Sequence, residues 1–144
     1  MKTAAVMTRN VVIVSPSVSV GAAAKMMSRL RIRHLPVVES GRLAGILSDR
    51  DLAKHSRGTT CAEAMTPSPI TCAPDAPIGR VARLMIDGKI DSVPVVGSKG
   101  ELIGLVTSAD LLSLLVDRTE LQALPFDFQL RLAGSDDEAL AFAA

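Results

Sequence analysis

The strongest constraint on this chain is that its sequence is written twice. Met7-Thr8-Arg9 aligns with Met65-Thr66-Pro67, and the same offset of 58 pairs Pro16 with Pro74, Gly21 with Gly79 and Met27 with Met85. It also sets Ile32 on Ile90 and Pro36-Val37-Val38 on Pro94-Val95-Val96. One extra residue near Lys99-Gly100 moves the offset to 59, after which Leu43 meets Leu102, Gly45 meets Gly104 and Asp51 meets Asp110. Ordered matches that include the turn residues mark a duplication, and a repeated unit must be read before any single element.

Each copy predicts the same elements. Val11–Val14 and Ile70–Cys72 are β-branched runs stopped by Pro16 and Pro74, which reads as a strand. Val20, Ala23, Ala24, Met27 and Leu30 recur at helical spacing, and Ile78, Val81, Ala82, Met85 and Ile86 repeat the stripe. Two short strands follow in each copy, 35–38 with 43–47 and 93–96 with 102–106, joined by Gly- and Ser-rich turns. A last helix opens at Ser48 and at Thr107. The expected fold is therefore α/β, two β-α-β-β-α units. One unit is too small to bury both faces of its sheet, so the pair should pack sheet to sheet with pseudo-twofold symmetry. The boundaries are 1–57 for the first repeat, 58–63 for a linker, 64–117 for the second repeat and 118–144 for a tail. Thr60 and Glu63 predict a capping box in the linker. In the tail, residues 125–132 alternate as a strand, and 135–138 would cap a short helix running to the C-terminus.

Composition narrows the function. Only 2% of the 144 residues are aromatic, with no Tyr or Trp, so the core is aliphatic and the stacking platforms of single-strand nucleic-acid binders are missing. The net charge of +1 hides a segregation. Residues 1–60 hold ten Lys and Arg against three Asp and Glu, and the remainder holds six against twelve. That pattern points to an anion site in the first half and attraction between the halves; segregated surface charge is the plain alternative. Cys61 and Cys72 lack metal-ligand spacing and read as small core residues. His55 has no partner suggesting a metal or a catalytic dyad, and His34 reads as a half-buried histidine. No nucleophile motif is present, so the chain is expected not to be an enzyme. Without a signal-like start or an 18-residue apolar run, a cytoplasmic location and no membrane span are expected.

The sharpest signal is Gly45-Ile46-Leu47-Ser48-Asp49-Arg50-Asp51, matched by Gly104-Leu105-Val106-Thr107-Ser108-Ala109-Asp110. Each is a strand ending in a hydroxyl at a helix start, with Asp three residues on. One reading is a nucleoside site, where helix N–H groups attract phosphate and the carboxylate accepts from ribose hydroxyls. The other is that Ser/Thr-x-x-Asp only caps a helix.

The duplicated unit, with Pro-Val-Val before each hairpin and Gly-x-x-Ser/Thr-x-x-Asp after it, resembles a tandem pair of cystathionine-β-synthase-type (CBS) domains from about Met7 to Leu115. The resemblance implies a regulatory module that senses an adenosine-containing ligand between the repeats: AMP, ADP, ATP, NAD(H) or S-adenosylmethionine. It implies Asp51 and Asp110 as ribose ligands, Ser48, Thr107, Arg50 and Arg33 on the phosphate side, and His34, Leu35, Ser92 and Val93 beside the base. The second copy departs where Ala109 stands for Arg50 and Asp91 for Arg33, so the Asp110 site lacks its own phosphate contacts unless the first repeat lends its arginines. Partners implied are an adenine nucleotide, an effector protein and a second copy of the chain. Leu111, Leu112, Leu114, Leu115 and Val116 carry apolar side chains on more than one helical face, and Leu121, Leu124, Phe126 and Phe128 extend the excess toward a homodimer. Two rivals remain: a ligand-free dimerisation scaffold, and a nucleic-acid binder using the basic half.

Overall fold

The computed structural model describes residues 1–116 and two later strands, 127–131 and 139–143. Along the chain, a single 3-10 turn at Thr3–Ala5 precedes helix α1 (Val20–Leu30), the hairpin β1 (His34–Glu39) and β2 (Arg42–Ser48), and helix α2 (Asp49–Lys54). Then come the short helix α3 (Cys61–Ala64), strand β3 (Thr66–Pro67), helix α4 (Ile78–Gly88), the hairpin β4 (Ser92–Val96) and β5 (Leu102–Thr107), and helix α5 (Ser108–Val116). Strands β6 (Asp127–Arg131) and β7 (Ala139–Ala143) pair with each other.

The two copies agree in detail. α1 and α4 both run 11 residues and both end on a non-glycine residue in the left-handed region, Arg31 (φ 54) and Lys89 (φ 51). Ser19 caps α1 by accepting from the Ala22 N–H at 3.1 Å. Each hairpin is antiparallel, with Leu35 opposite Leu47 and Val93 opposite Val106, and each carries an irregularity at the equivalent place, Val37/Val38 and Val95/Val96. The first hairpin turns through Ser40 and Gly41, both at positive φ, as a tight two-residue turn requires.

Two aliphatic cores lie beneath these hairpins. One gathers Val20, Ala23 and Met27 of α1 against Leu35, Val37 and Leu47; the other gathers Val81 and Met85 of α4 against Val93, Val95 and Val106. Each core is completed from outside its own repeat. Met7 is buried in the second core, while Cys61 and Ala64 are buried in the first. The backbone crosses in the same way. β3, at the opening of the second repeat, pairs with Gly45 and Ile46 of β2, and Thr8, at the opening of the first, bridges to Leu105 of β5. Thr3 is fully buried and donates its hydroxyl to the Ala76 carbonyl at 2.7 Å.

Three expectations need correction. The runs 11–14 and 70–72 do not form strands; each contributes one parallel bridge, Val14 to Val37 and Cys72 to Val95. The prolines two residues on, Pro16 and Pro74, end the pairing before a ladder can grow. Ile86 and Leu30, read as part of the buried helix stripes, are exposed at the ends of their helices. In the tail, β6 matches the expected strand, but 139–143 is a strand and not a helix. Its Ala-Leu-Ala-Phe-Ala alternation has a strand's period of two, and the register sets Phe142 opposite Phe128 and Leu140 opposite Leu130. Leu121, Leu124, Phe126 and the expected cap at 135–138 lie outside the described residues.

Candidate ligand-binding clefts

Both Ser/Thr-x-x-Asp motifs sit where a hairpin's second strand turns into a helix. In the first, the Asp51 N–H donates to Ser48 Oγ at 3.2 Å, while Asp51 Oδ2 accepts from the Ser48 N–H at 2.9 Å and from its hydroxyl at 3.0 Å. In the second, the Asp110 N–H donates to Thr107 Oγ1 at 3.3 Å and Asp110 Oδ2 accepts from the Thr107 N–H at 2.8 Å. Each motif is thus a complete capping box, as the plain reading of the spacing requires. The boxes use Oδ2 alone, so in each Asp the second carboxylate oxygen stands outside the box.

The motifs also wall two cavities, and each cavity is built from both repeats. The narrower, about 270 Å³, sets Ser48, Arg50 and Asp51 of the first repeat against Ser68, Ile90 and Ser92 of the second. The wider, about 750 Å³, sets Thr107 and Ser108 of the second repeat against Asn10, Val12, Ile32 and Arg33 of the first. The duplication offset maps one lining onto the other: Thr107 stands for Ser48, Asn10 for Ser68, Ile32 for Ile90 and Arg33 for Asp91. The reason is the exchange of openings. Each repeat sends its opening segment to the other's sheet, so the residues beside that segment face the other's motif.

His34, Asp49, Arg50 and Asp91 line both cavities, at the boundary between them. Arg50 Nη2 lies 3.7 Å from Asp91 Oδ2 across the repeats, an exposed pair worth little in itself. Backbone bonds fix the surroundings: the Asp49 N–H donates to the Arg33 carbonyl at 3.0 Å, and the Ser108 N–H donates to the Asp91 carbonyl at 2.9 Å. Burial of the His34 imidazole holds its pKa below the usual 6.5. Asp49, Asp91 and Asp51 push the other way, and Arg33 pushes with burial.

The residues singled out in the sequence divide accordingly. Ser48, Asp51, Arg50, His34 and Ser92 meet at the narrow cleft; Thr107, Arg33, Arg50 and His34 meet at the wide one. Arg33 is therefore lent across the repeats, beside Thr107. Asp110 is held in the Thr107 capping box and does not line the wide cleft. Leu35 and Val93, expected beside the base, are fully buried in the two cores. Side chains alternate along a strand, so the residue before each, His34 or Ser92, faces the cavity instead. Sequence reasoning missed Asn10, Ser68, Ile32 and Ile90, whose shared place in the two copies of the repeat was the available signal.

A family model for the CBS domain matches residues 4–58 and again 61–117. The chain belongs to the CBS domain family. The described residues hold a pair of CBS repeats and no catalytic domain. The inosine-5'-monophosphate dehydrogenase of Korarchaeum cryptofilum is 38% identical over 104 residues, which is 72% of this chain and 22% of the dehydrogenase. The CBS pair thus spans about a fifth of the length of such an enzyme. Among solved structures, the CBS domain pair of protein MJ0100 in complex with 5'-methylthioadenosine and S-adenosyl-L-methionine superposes with a TM-score of 0.78 at 31% identity, covering 83% of this chain and 98% of that one. CBSX2 in complex with AMP gives a TM-score of 0.75 at 28% identity, with the same coverage of 83% and 98%. Each of these two solved neighbours holds an adenosine-containing ligand.

Proposed function

We propose that this CBS pair is a regulatory module that takes adenosine-containing ligands in its two clefts and passes their occupancy to a partner protein. The observation that carries the reading is the composite construction of the clefts, each walled by both repeats around a Ser/Thr-x-x-Asp motif. A ligand in such a cleft touches both repeats at once. It favours whichever arrangement of the repeats fits it better, and a small rotation is the signal. In this reading Asp51 and Asp110 accept from ribose hydroxyls through the oxygen outside the box. Ser48, Thr107, Arg33 and Arg50 serve the phosphate side, and His34 and Ser92 border the base. Asp51 lines its cleft and Asp110 does not, so Asp110 must turn toward the wide cleft to take its part and the two clefts are not equivalent.

A thermal-shift series with AMP, ADP, ATP, NAD(H) and S-adenosylmethionine tests this, because a ligand that binds only the folded chain stabilises it by RT ln(1 + [L]/Kd). Adenosine compounds should raise the melting temperature, and guanosine or pyrimidine nucleotides should do so less. The completeness of both capping boxes favours one other reading, a ligand-free scaffold in which the motifs only start helices. A flat response to every adenosine compound at millimolar concentration would establish it.

A further inference from the structure

The two clefts share Arg50, Asp49, Asp91 and His34, so what distinguishes them is the charge each adds alone. The wide cleft adds Arg31 and Arg33; the narrow cleft adds Lys89 and Asp51. One of these differences reverses charge within the duplication: Arg33 of the first repeat is answered by Asp91 in the second, whereas Arg31 is answered by Lys89, a cation for a cation. Because the openings are exchanged, Arg33 serves the wide cleft, and at the equivalent place in the narrow cleft stands Asp91, whose carboxylate leans on Arg50 at 3.7 Å. Arg50 is thus the one arginine in the narrow cleft, and it already has an acid beside it.

We infer that the two clefts divide adenosine ligands by charge: the wide cleft, with Arg31 and Arg33, takes the phosphate-bearing nucleotide, and the narrow cleft, where Lys89 is accompanied by Asp51 and Arg50 by Asp91, takes an adenosine whose 5' substituent is neutral or cationic. The division rests on the adenosine reading above and deepens it. Arg50 joins the two sites. An anion in the wide cleft attracts its guanidinium, and the exposed contact with Asp91 resists this weakly. Asp91 is then left at the boundary of the two clefts without that counter-charge, which opposes a second phosphate in the narrow cleft.

Calorimetric titration of the intact chain with AMP and with 5'-methylthioadenosine, whose thioether is uncharged, separates the sites. AMP should bind one per chain, with an affinity that falls as salt rises. With AMP saturating, 5'-methylthioadenosine should still bind one per chain, with little salt dependence. Arg33→Ala should weaken AMP tenfold or more and leave 5'-methylthioadenosine, measured with AMP saturating, within twofold. Asp51→Asn should do the reverse. Melting curves of both variants confirm that they are folded. Two AMP per chain of like affinity, displacement of 5'-methylthioadenosine by AMP, or both variants weakening the same compound overturns the division and leaves the adenosine reading standing. No binding by either compound overturns both.

Discussion

Asp51 is held in its capping box through one carboxylate oxygen, and that division of labour separates stability from binding at a single side chain. Asn keeps the shape and one carbonyl oxygen to accept from the Ser48 N–H. Asp51→Asn and Asp110→Asn should therefore cost less than about 1 kcal/mol of stability. Loss of a charge-assisted contact to ribose should weaken the adenosine compound bound in that residue's own cleft by about 1.5–3 kcal/mol, roughly tenfold to a hundredfold. Chemical denaturation beside calorimetry reads both numbers, and unchanged affinity in either variant would reduce that Asp to a cap. His34 gives a prediction in pH. Its folded-state pKa lies below 6.5 because burial disfavours the imidazolium. Between the folded and unfolded values the unfolded chain binds the extra proton, so stability is present above pH 6.5 and is lost as pH falls through the folded value. His34→Gln should flatten the slope of unfolding free energy over that window; an unchanged slope would mean that another group carries it.

At the scale of elements, the close approach of the exchanged segments depends on two glycines inside strands. A Cβ on Gly45 would meet the Thr66 carbonyl oxygen and Met65 Cγ at 2.8 Å, and a Cβ on Gly104 would meet Met7 Sδ at 2.5 Å. Gly45→Ala and Gly104→Ala should each push a foreign segment off the sheet and cost about 1–3 kcal/mol by overpacking. Gly41→Ala would disturb only a turn, and its loss should be local. Urea melts of the variants check the ranking, and equal losses at Gly45 and at an exposed glycine such as Gly79 would refute it.

These glycines also show how far the sequence can be read. The duplication, the helices and both hairpins follow from periodicity and turn chemistry, because those signals are local. The exchange of Met7 and Met65 between sheets is not local, since nothing in an isolated Met-Thr pair says which sheet it will join. A glycine within an otherwise aliphatic strand does signal that another backbone comes close. Of the site, the Ser48 and Thr107 motifs were legible because a cap has a fixed spacing. The pairing of Arg33 with Thr107 and the burial of Leu35 depend on which repeat faces which, and that is decided by the exchange.

For the whole molecule, the apolar side chains of α5 are the open question of packing. Leu112, Leu115 and Val116 are exposed there, and Ile86 is exposed on α4, a helix in contact with it. Apolar side chains exposed on two touching helices are what a second copy would cover, and two copies presenting the same face would close it with twofold symmetry. Light scattering over a dilution series should give a dimer at micromolar protein, and Leu115→Glu should shift it toward one chain. A mass near one chain throughout would rule the dimer out. A chain ended after Asp117 should still dimerise, because the exposed leucines precede that point.

Neither half of the molecule is a finished object. A fragment ending at Arg57 would keep the hairpin of its own core but lack Cys61 and Ala64, and would carry Met7 with nowhere to bury it. The remaining fragment would have the opposite surplus and the opposite deficit. Each half is therefore the other's missing piece, and two such fragments mixed in solution have a reason to find each other that no linker supplies. Heated intact, the chain should come apart in a single step, because opening either repeat withdraws a wall from its neighbour's core.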